Sequence, residues 1–305
     1  MSEARERRIR SGQYGLPYSK GRMAQRLMAS GFEPERAYEL SRAIEAGVCS
    51  SAEEELSVEQ LERIVEEVLE RQAPPDMVER YLGWREVLRL DRPLVVLLGG
   101  ATGTGKSSIA TEIAYRLNIS RITSTDVVRQ VMRAFFARDL MPAIHYSSFE
   151  AGAALKTPMP NPDDEDRALH GFLQQAEQVA VGVNAVLDRA LFEGLAMVVE
   201  GIHIVPGLVV PEERTDAVVV QALLALEDED AHRSHFLSRG DDSGGLRATE
   251  RYLRRLGEIR RIQDYLVGRA ERLDVPVVDV ADPREALLAV MDLIRERAVP
   301  PRAVR

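Results

Sequence analysis

The sequence predicts an α/β protein in which a parallel sheet flanked by helices follows a small, mainly helical domain. From residue 94 onward, short apolar segments alternate with amphipathic helical segments, which is the pattern of a parallel sheet. A glycine-rich turn follows the first of these apolar segments. The residues before it have helical periodicity instead. We therefore predict two domains, 1–90 and 91–305.

The first domain is predicted to begin with a short strand and turn over residues 7–14 and to continue as helices. Gly31 and Gly47 are placed as helix stops, because glycine is favoured just after a helix. Ser57 and Gln60 have the spacing of a capping box, which marks the start of a helix. The predicted helices are 19–30, 33–46, one that begins at Ser57 and ends before Pro74, and one that begins near Asp76.

The second domain is predicted to contain five strands with helices between them. Apolar runs such as 197–199 and 218–220 suit a parallel sheet that is covered on both faces. A glycine-rich break at 240–245 separates two of the predicted helices. The predicted strands are 94–98, 121–125, 196–199, 217–225 and 275–280. The predicted helices are 108–117, 127–137, a long one between Pro162 and 191, 227–239, 248–273 and 283–298.

The glycine-rich turn matches the phosphate-binding pattern G-x-x-x-x-G-K-[ST] at every fixed position. Glycines allow successive backbone N–H groups to face one anion, and the following helix adds partial positive charge. We expect Lys106 to reach the β- and γ-phosphates and Ser107 to bind Mg²⁺. The chain is thus predicted to bind a nucleoside triphosphate through Gly100, Ala101, Thr102, Gly103, Thr104, Gly105, Lys106, Ser107 and Ser108.

Two carboxylates follow predicted strands at the edge of the sheet where this turn lies. Asp126 follows the second strand and Glu200 follows the third. A carboxylate at a strand end beside Mg²⁺ can hold the metal through water or take a proton from an attacking hydroxyl. Both are predicted as catalytic residues and, with Ser107, as metal ligands. For Asp126 an alternative is a purely structural role as the N-cap of the next helix.

Arginines on the helix after the fourth strand are candidates for a lid over the phosphates. Planar guanidinium groups suit the oxygens of a phosphoryl group in transfer. Arg233 and Arg239 are the predicted catalytic pair. The alternative is that such arginines are solvated helix-face residues that pair with neighbouring glutamates.

The acceptor site is predicted in the polar segment between the second strand and the long helix. Arg129 and Arg133 precede this segment, and His145 and Lys156 lie within it. Lysine occurs only at positions 20, 106 and 156, which makes each lysine a candidate for a specific charge. The alternative for His145, Lys156 and also His203 is an ordinary structural position.

The composition limits the class of protein and its partners. A net charge of −9 argues against a general nucleic-acid binder. No apolar stretch reaches the ~20 residues of a membrane span, and the charged N-terminus lacks an apolar signal core. A single cysteine, Cys49, cannot form an internal disulfide. We therefore expect a cytoplasmic protein without nucleic-acid or membrane partners, and its oligomeric state, including a homo-oligomer, stays open.

Several motifs together resemble the 2-phosphoglycerate kinase family. They are Gly99–Ser108, Thr123–Asp126, His145–Ser148, Val198–Gly207 and Arg260–Tyr265. The segment Leu16–Gly21 and the helices after it look like an ATP-cone domain, which that family often carries. The resemblance implies a P-loop NTPase fold of the nucleotide-kinase type, preceded by an ATP-cone-like domain.

The resemblance also implies an activity, namely phosphate transfer from ATP to 2-phosphoglycerate with Mg²⁺ to give 2,3-bisphosphoglycerate. It supports roles for Lys106, Ser107, Asp126 and Glu200, and more weakly for His145. The partners would be ATP and a small phosphorylated acid. Two alternatives stay open. One is a kinase for another phosphorylated acid, polyol or isoprenoid precursor, and the other is a non-enzymatic ATP-sensing regulator.

Overall fold

The computed structural model describes residues 8–11, 14–53, 55–156, 166–209, 217–243 and 246–299. Contacts between Cα atoms divide the chain into two compact units. The first contains the described residues up to 90 together with 115–118 and 299, and the second contains the described residues of 91–114 and 119–298.

The first unit combines a small sheet with four helices in its described part. The strands are β1 (Arg8–Ser11), β2 (Tyr14–Pro17) and β3 (Glu55–Ser57), and the helices are α1 (Lys20–Ala29), α2 (Pro34–Ser50), α3 (Val58–Gln72) and α4 (Pro75–Val87). The central strand β1 pairs antiparallel with β2 and parallel with β3. The hairpin was predicted, whereas β3 was not, because three residues are too few to show strand periodicity.

The helix starts of this unit follow the predicted capping chemistry. The Ser57 hydroxyl accepts a hydrogen bond from the Gln60 backbone and the Gln60 side chain accepts one from the Ser57 backbone, so the capping box is confirmed. The predicted stop at Gly47 is wrong, since α2 continues to Ser50. A Cβ at Gly47 would lie 2.7 Å from a methyl group of Ile64, so this glycine serves helix packing.

The second unit is built on a fully parallel sheet with the order β5-β6-β4-β7-β8 in its described residues. The strands are β4 (Leu94–Gly100), β5 (Ile122–Ser124), β6 (Met197–Glu200), β7 (Val218–Ala225) and β8 (Val277–Asp279). All residues of β4 and β6 are buried. The two strands therefore lie inside the layers of helices, as their apolar sequence predicted, and the predicted fold class is confirmed.

The helices of this unit are α5 (Lys106–Arg116), α6 (Thr125–Phe135), α7 (Arg167–Phe192), α8 (Glu229–Ser243), α9 (Leu246–Arg254), α10 (Leu256–Arg272) and α11 (Pro283–Ala298). Two 3₁₀ segments, Pro142–His145 and Ser148–Ala154, precede α7. The predicted helix 248–273 is wrong as a single element, because the turn at Arg255 separates α9 from α10. The predicted break at 240–245 begins too early, since α8 includes Gly240.

Two apolar clusters hold this unit together. One contains Val95, Leu97 and Val199 of the sheet with Val183 and Leu187 of α7. The other joins the loop after β6 to α8 and α10 and includes Phe236 and Leu266. Among the described helices of the chain, none has the length and apolar character that crossing a bilayer requires.

Candidate active site

The glycine-rich turn forms a tight loop between β4 and α5. Gly100, Gly103 and Gly105 have φ values of +143°, +94° and +73°, which side-chain-bearing residues rarely adopt. A Cβ at Gly100 would also lie 2.3 Å from the carbonyl oxygen of Leu224 on β7. At Gly100, glycine is therefore required by both the backbone conformation and the space, and the loop has the shape that phosphate binding needs.

Lys106, the first residue of α5, lies over this loop and is buried, with only 8% of its surface exposed. Its Nζ donates to the carbonyl oxygen of Ala101 and lies 3.3 Å from the Thr104 hydroxyl. Thr104 donates to the same carbonyl oxygen at 3.0 Å. The ammonium group is therefore held at the loop by residues of the loop itself.

Ser107 and Glu200 lie side by side at the carboxyl ends of β4 and β6. The Ser107 hydroxyl donates to Glu200 Oε1 at 3.1 Å, and Glu200 is buried. The register pairs Leu98 with Glu200, which explains how residues 93 positions apart meet. A hydroxyl and a carboxylate are oxygen ligands that suit Mg²⁺.

A purely protein-built metal cage is not present among the described residues, where no group of three His, Cys, Asp or Glu side chains is arranged to hold a metal ion. This is the usual situation for Mg²⁺ in phosphoryl transfer, where substrate phosphates and water supply most ligands. The donors near the loop therefore fit a metal that arrives with the nucleotide.

Asp126 lies in the first turn of α6, just past β5. Its side chain is 65% exposed, and one carboxylate oxygen accepts a hydrogen bond from Arg129 Nε at 3.2 Å. The alternative role as N-cap is wrong, because the Ser124 hydroxyl caps this helix by accepting from the Asp126 backbone N–H. Since Ser124 pairs with Glu200 in the sheet, Asp126 follows the strand that neighbours Glu200.

A buried network that the sequence did not reveal lies behind these carboxylates. Gln175 on α7 donates its amide N–H groups to the carbonyls of Ala143 and Tyr146, at 2.6 and 3.1 Å. Its Oε1 is therefore the acceptor for His203 Nε2 at 3.0 Å. His203 Nδ1 then accepts from the Thr125 hydroxyl at 2.9 Å.

This network holds His203 neutral. The imidazole has no exposed surface, and burial lowers its pKa to about 4, although the nearby Asp126 carboxylate acts in the opposite direction. A Cβ at Gly201 would lie 1.9 Å from the Thr125 hydroxyl oxygen, so the loop after β6 needs glycine there. The sequence signals were the motifs Thr123–Asp126 and Val198–Gly207, which contain Thr125 and His203, whereas Gln175 belongs to no such motif.

The residues predicted to bind the acceptor occupy different environments. Arg129 is buried, and its Nη1 donates to the carbonyls of Ile144 and Tyr146, at 3.1 and 3.0 Å. His145 bonds the carbonyl of Phe136 at 3.0 Å. Arg133 donates to the Gln130 side chain, and Lys156 is exposed. In this structure Arg129 and His145 thus support the segment 142–146, and an acceptor role for the four residues stays a prediction.

The predicted lid helix α8 contacts the loop through histidines. His232 Nε2 donates to the Thr102 carbonyl at 2.7 Å, and His235 Nδ1 donates to the Gly103 carbonyl at 3.2 Å. Burial lowers the pKa of His232. A Cβ at Gly103 would lie 2.5 Å from the Phe236 ring. The His-x-x-His-Phe spacing, with all three residues on one helix face, was the available signal.

The two predicted lid arginines have separate outcomes. Arg233 is exposed and pairs with Glu229 at 3.1 Å, one helical turn away. This is the pairing that the helix-face alternative describes. The side chain of Arg239 lies outside what the structure describes. A catalytic role for both arginines stays a prediction.

Comparison with known protein families gives a match at the start of the chain. Residues 9–89 match the family model described as ATP cone domain. Among solved structures, a gluconokinase from Sinorhizobium meliloti 1021 aligns with 67% of this chain and 94% of its own, at 16% identity and a TM-score of 0.37. That likeness is too distant to bear on function.

Curated relatives match nearly the whole chain. A protein named 2-phosphoglycerate kinase from Methanopyrus kandleri is 39% identical over 272 residues, which cover 89% of this chain and 82% of that protein. Proteins of the same name from Methanothermobacter thermautotrophicus and Thermococcus kodakarensis are 39% and 38% identical. They cover 88% and 90% of this chain and 87% and 89% of their own lengths.

Proposed function

We propose that this chain, which belongs to the 2-phosphoglycerate kinase family, transfers the γ-phosphate of ATP to the hydroxyl of 2-phosphoglycerate and releases 2,3-bisphosphoglycerate. The observation that carries the proposal is the glycine loop with its buried lysine, beside a Ser107–Glu200 pair at 3.1 Å, in a chain 39% identical to relatives of that name. Such a loop binds the donor phosphates through backbone N–H groups and one ammonium group.

Lys106 would bind the β- and γ-phosphates. Its Nζ already lies at the loop, where it donates to the Ala101 carbonyl. A phosphate oxygen carries more charge than a carbonyl oxygen and forms the stronger hydrogen bond with an ammonium group. We therefore infer that, when a triphosphate binds, Lys106 exchanges its hydrogen bond to the Ala101 carbonyl for one to a phosphate oxygen. Thr104 continues to donate to that carbonyl.

Ser107 and Glu200 would hold Mg²⁺ on the donor side. When bound, the metal neutralises charge on the β- and γ-phosphates. The Glu200 carboxylate is buried and accepts a hydrogen bond from Ser107, so it is oriented before the ligand arrives. Asp126 can add a further oxygen ligand through water, because its carboxylate is exposed at the neighbouring strand end.

Asp126 would orient the acceptor hydroxyl and accept its proton. Its exposed carboxylate can reach a substrate, whereas the buried Glu200 is occupied by Ser107. Arg129 Nε fixes one Asp126 oxygen at 3.2 Å and leaves the other for the hydroxyl. Arg233 and Arg239 lie on α8. We propose that their guanidinium groups contact the phosphoryl oxygens when ATP and the acceptor are bound.

The proposal is tested by an acceptor screen with the purified chain, ATP and Mg²⁺. ADP release is followed with 2-phosphoglycerate, 3-phosphoglycerate, glycerol phosphate and mevalonate phosphate. We expect 2-phosphoglycerate to stimulate ADP release most strongly and phosphorus NMR to identify 2,3-bisphosphoglycerate. Stimulation by another acceptor alone would favour the alternative kinase, and ATP binding without stimulation by any acceptor would favour the sensor.

The role of Asp126 has its own test. Loss of a general base lowers turnover by about 10²–10⁴-fold, so Asp126→Asn should reduce kcat by that amount at unchanged ATP affinity. Asp188→Asn, an exposed position on α7, is the matched control and should keep the parental kcat. Full turnover by Asp126→Asn would assign the base elsewhere.

A further inference from the structure

A cavity of about 650 Å³ lies in the second unit, apart from the glycine loop. Its walls come from residues 146–153, the first turn of α7, and residues 255–261 at the start of α10. No residue of the loop 100–107 lines it. The volume is that of an ordinary small-molecule site, so the cavity can hold a compact substrate with its water.

The lining carries more positive than negative charge. Its charged residues are Arg167, Arg255, Arg261, Glu150 and Glu258. We call this space the arginine cavity. Arg255 pairs with Glu258 at 2.7 Å. Arg251, just outside the lining, binds both carboxylate oxygens of Glu150.

The two carboxylates are therefore neutralised by partners within or beside the wall. Hydrogen bonds from Arg251 hold the pKa of Glu150 below its ordinary value, so this carboxylate stays charged in its pair. Arg167 donates one Nη2 bond to the carbonyl of Leu155, at 2.7 Å, and this partner is neutral, so among the described residues no carboxylate pairs with Arg167. The positive excess makes the cavity suited to an anion.

The arginine cavity is connected by direct contacts to both halves of the proposed active site. From its wall, Phe149 stacks edge-on against Tyr252 at 5.7 Å, Tyr252 stacks on Phe236 at 5.1 Å, and Phe236 stacks on His232 at 5.2 Å. His232 bonds the loop carbonyl of Thr102.

A second connection begins at Tyr146, which also lines the cavity. Its carbonyl accepts from Gln175, and Gln175 is joined through His203 to Thr125, the neighbour of Asp126. The cavity wall is thus built on the same contacts that position the glycine loop and the predicted base.

We propose that the arginine cavity is the acceptor site, where Arg167 from α7, Arg261 from α10 and Arg255 from the turn before α10 bind a small acid with two anionic groups. This inference rests on the proposed function, because a carboxylate and a phosphate on one three-carbon acid are the groups that 2-phosphoglycerate presents. Guanidinium groups from two helices can hold such a ligand from both sides, and Arg binds carboxylate and phosphate in bidentate geometry.

Arginine variants test the proposal by separating acceptor from donor binding. Arg167→Gln and Arg261→Gln should each raise the KM for 2-phosphoglycerate by about 10-fold or more, since a charge-assisted hydrogen bond is lost. The KM for ATP should stay within about twofold, as phosphate binding at the loop does not use these side chains. Arg272→Gln, exposed on the same helix α10, is the matched control and should change neither value.

A space-filling variant provides a second test that does not remove a charge. A Cβ at Gly257 in the cavity lining meets no heavy atom within 4 Å, so a larger side chain enters open space. Gly257→Leu should therefore fold with the parental melting temperature and lose saturation by the acceptor. If it saturates normally with 2-phosphoglycerate, the cavity is not the acceptor site.

Direct binding of 2-phosphoglycerate, measured by calorimetry on the same proteins, separates this inference from the proposed function. If the parental chain turns over and the variants keep its acceptor KM, the cavity is not the acceptor site, whereas the proposed kinase reaction stands. Binding that the arginine variants weaken, without any turnover, supports the cavity and overturns the proposed reaction. Neither binding nor turnover by the parental chain overturns both.

Discussion

The glycine loop and the arginine cavity both present positive charge to an anion, but they are made of different parts. The loop uses backbone N–H groups and Lys106 within eight consecutive residues, and its shape depends on glycines at positive φ. The cavity uses guanidinium groups on α7 and α10, which meet only because both helices pack in the same unit. A backbone-built site is therefore local in sequence, whereas a side-chain-built site is assembled by the fold.

Among the tests of this comparison, the largest expected effect comes from the one lysine in the loop. Lys106→Ala should lower turnover by roughly 10²–10³-fold, the usual cost of removing one preorganised donor from a transferring group. The acceptor KM should change little, because the cavity does not contain Lys106. Steady-state kinetics in both substrates measure the two effects. A variant that loses acceptor affinity as strongly as turnover would show that the two sites are not separate.

The glycines of the loop allow a matched comparison of strain and packing. Gly105→Ala introduces a Cβ into open space at φ +73°, so it should cost about 1 kcal/mol. Gly103→Ala adds an overlap with the Phe236 ring, 2.5 Å from the Cβ position, and should cost about 2–4 kcal/mol in total. Thermal unfolding measures both. Equal losses would mean that α8 does not constrain the loop.

The His203 network, which joins the two sites, should give the chain a dependence of stability on pH. The folded pKa of about 4 lies below the unfolded value of 6.5, so the unfolded state binds more protons between these values. The stabilisation is therefore complete above pH 6.5 and is lost as the pH falls towards 4. The shift corresponds to at most about 3 kcal/mol.

Denaturant unfolding of the parental chain and of His203→Gln across this pH range isolates that contribution. The variant should be less stable at pH 8 and should lose the additional decrease between pH 6.5 and 4. The difference between the two proteins removes the contributions of other titrating groups, His232 included. Parallel pH profiles for the two proteins would contradict a neutral, buried His203.

A further expected effect concerns the metal. Glu200→Gln keeps the hydrogen bond with Ser107 and removes the charge, so the Mg²⁺ concentration for half-maximal turnover should rise about 10–100-fold. Glu193→Gln, a partly exposed carboxylate beyond the end of α7, is the control. Titration of turnover with Mg²⁺ makes the comparison. An unchanged requirement would remove Glu200 from the donor site.

Much of the fold could be predicted from the sequence, because buried parallel strands are marked by short continuous apolar runs. The five strands and the final helix, 283–298, lie close to their predicted positions. The errors have identifiable causes. Gly47 and Gly240 lie inside helices with helical residues on both sides, although glycine usually signals a stop. The turn at Arg255 has no glycine or proline to mark it.

The sequence predicted some parts of the candidate active site better than others. Ser107 and Glu200 were expected near one edge of the sheet, and the structure brings them to 3.1 Å. The directions of other side chains could not be predicted from the sequence, because they depend on neighbours that are distant along the chain. Arg129 bonds backbone carbonyls of residues 144 and 146, and His203 is buried between Thr125 and Gln175.

The sequence by itself determined the donor side of this protein: a glycine loop before Lys106 and Ser107, between an apolar strand and a helix, with carboxylates after the neighbouring strands. These features are set by backbone conformation and strand order, which a local pattern encodes. Only the tertiary structure decided which arginines share a cavity and which histidine is neutral. Burial and charge pairing depend on side chains brought together by packing, and no spacing along the chain specifies them.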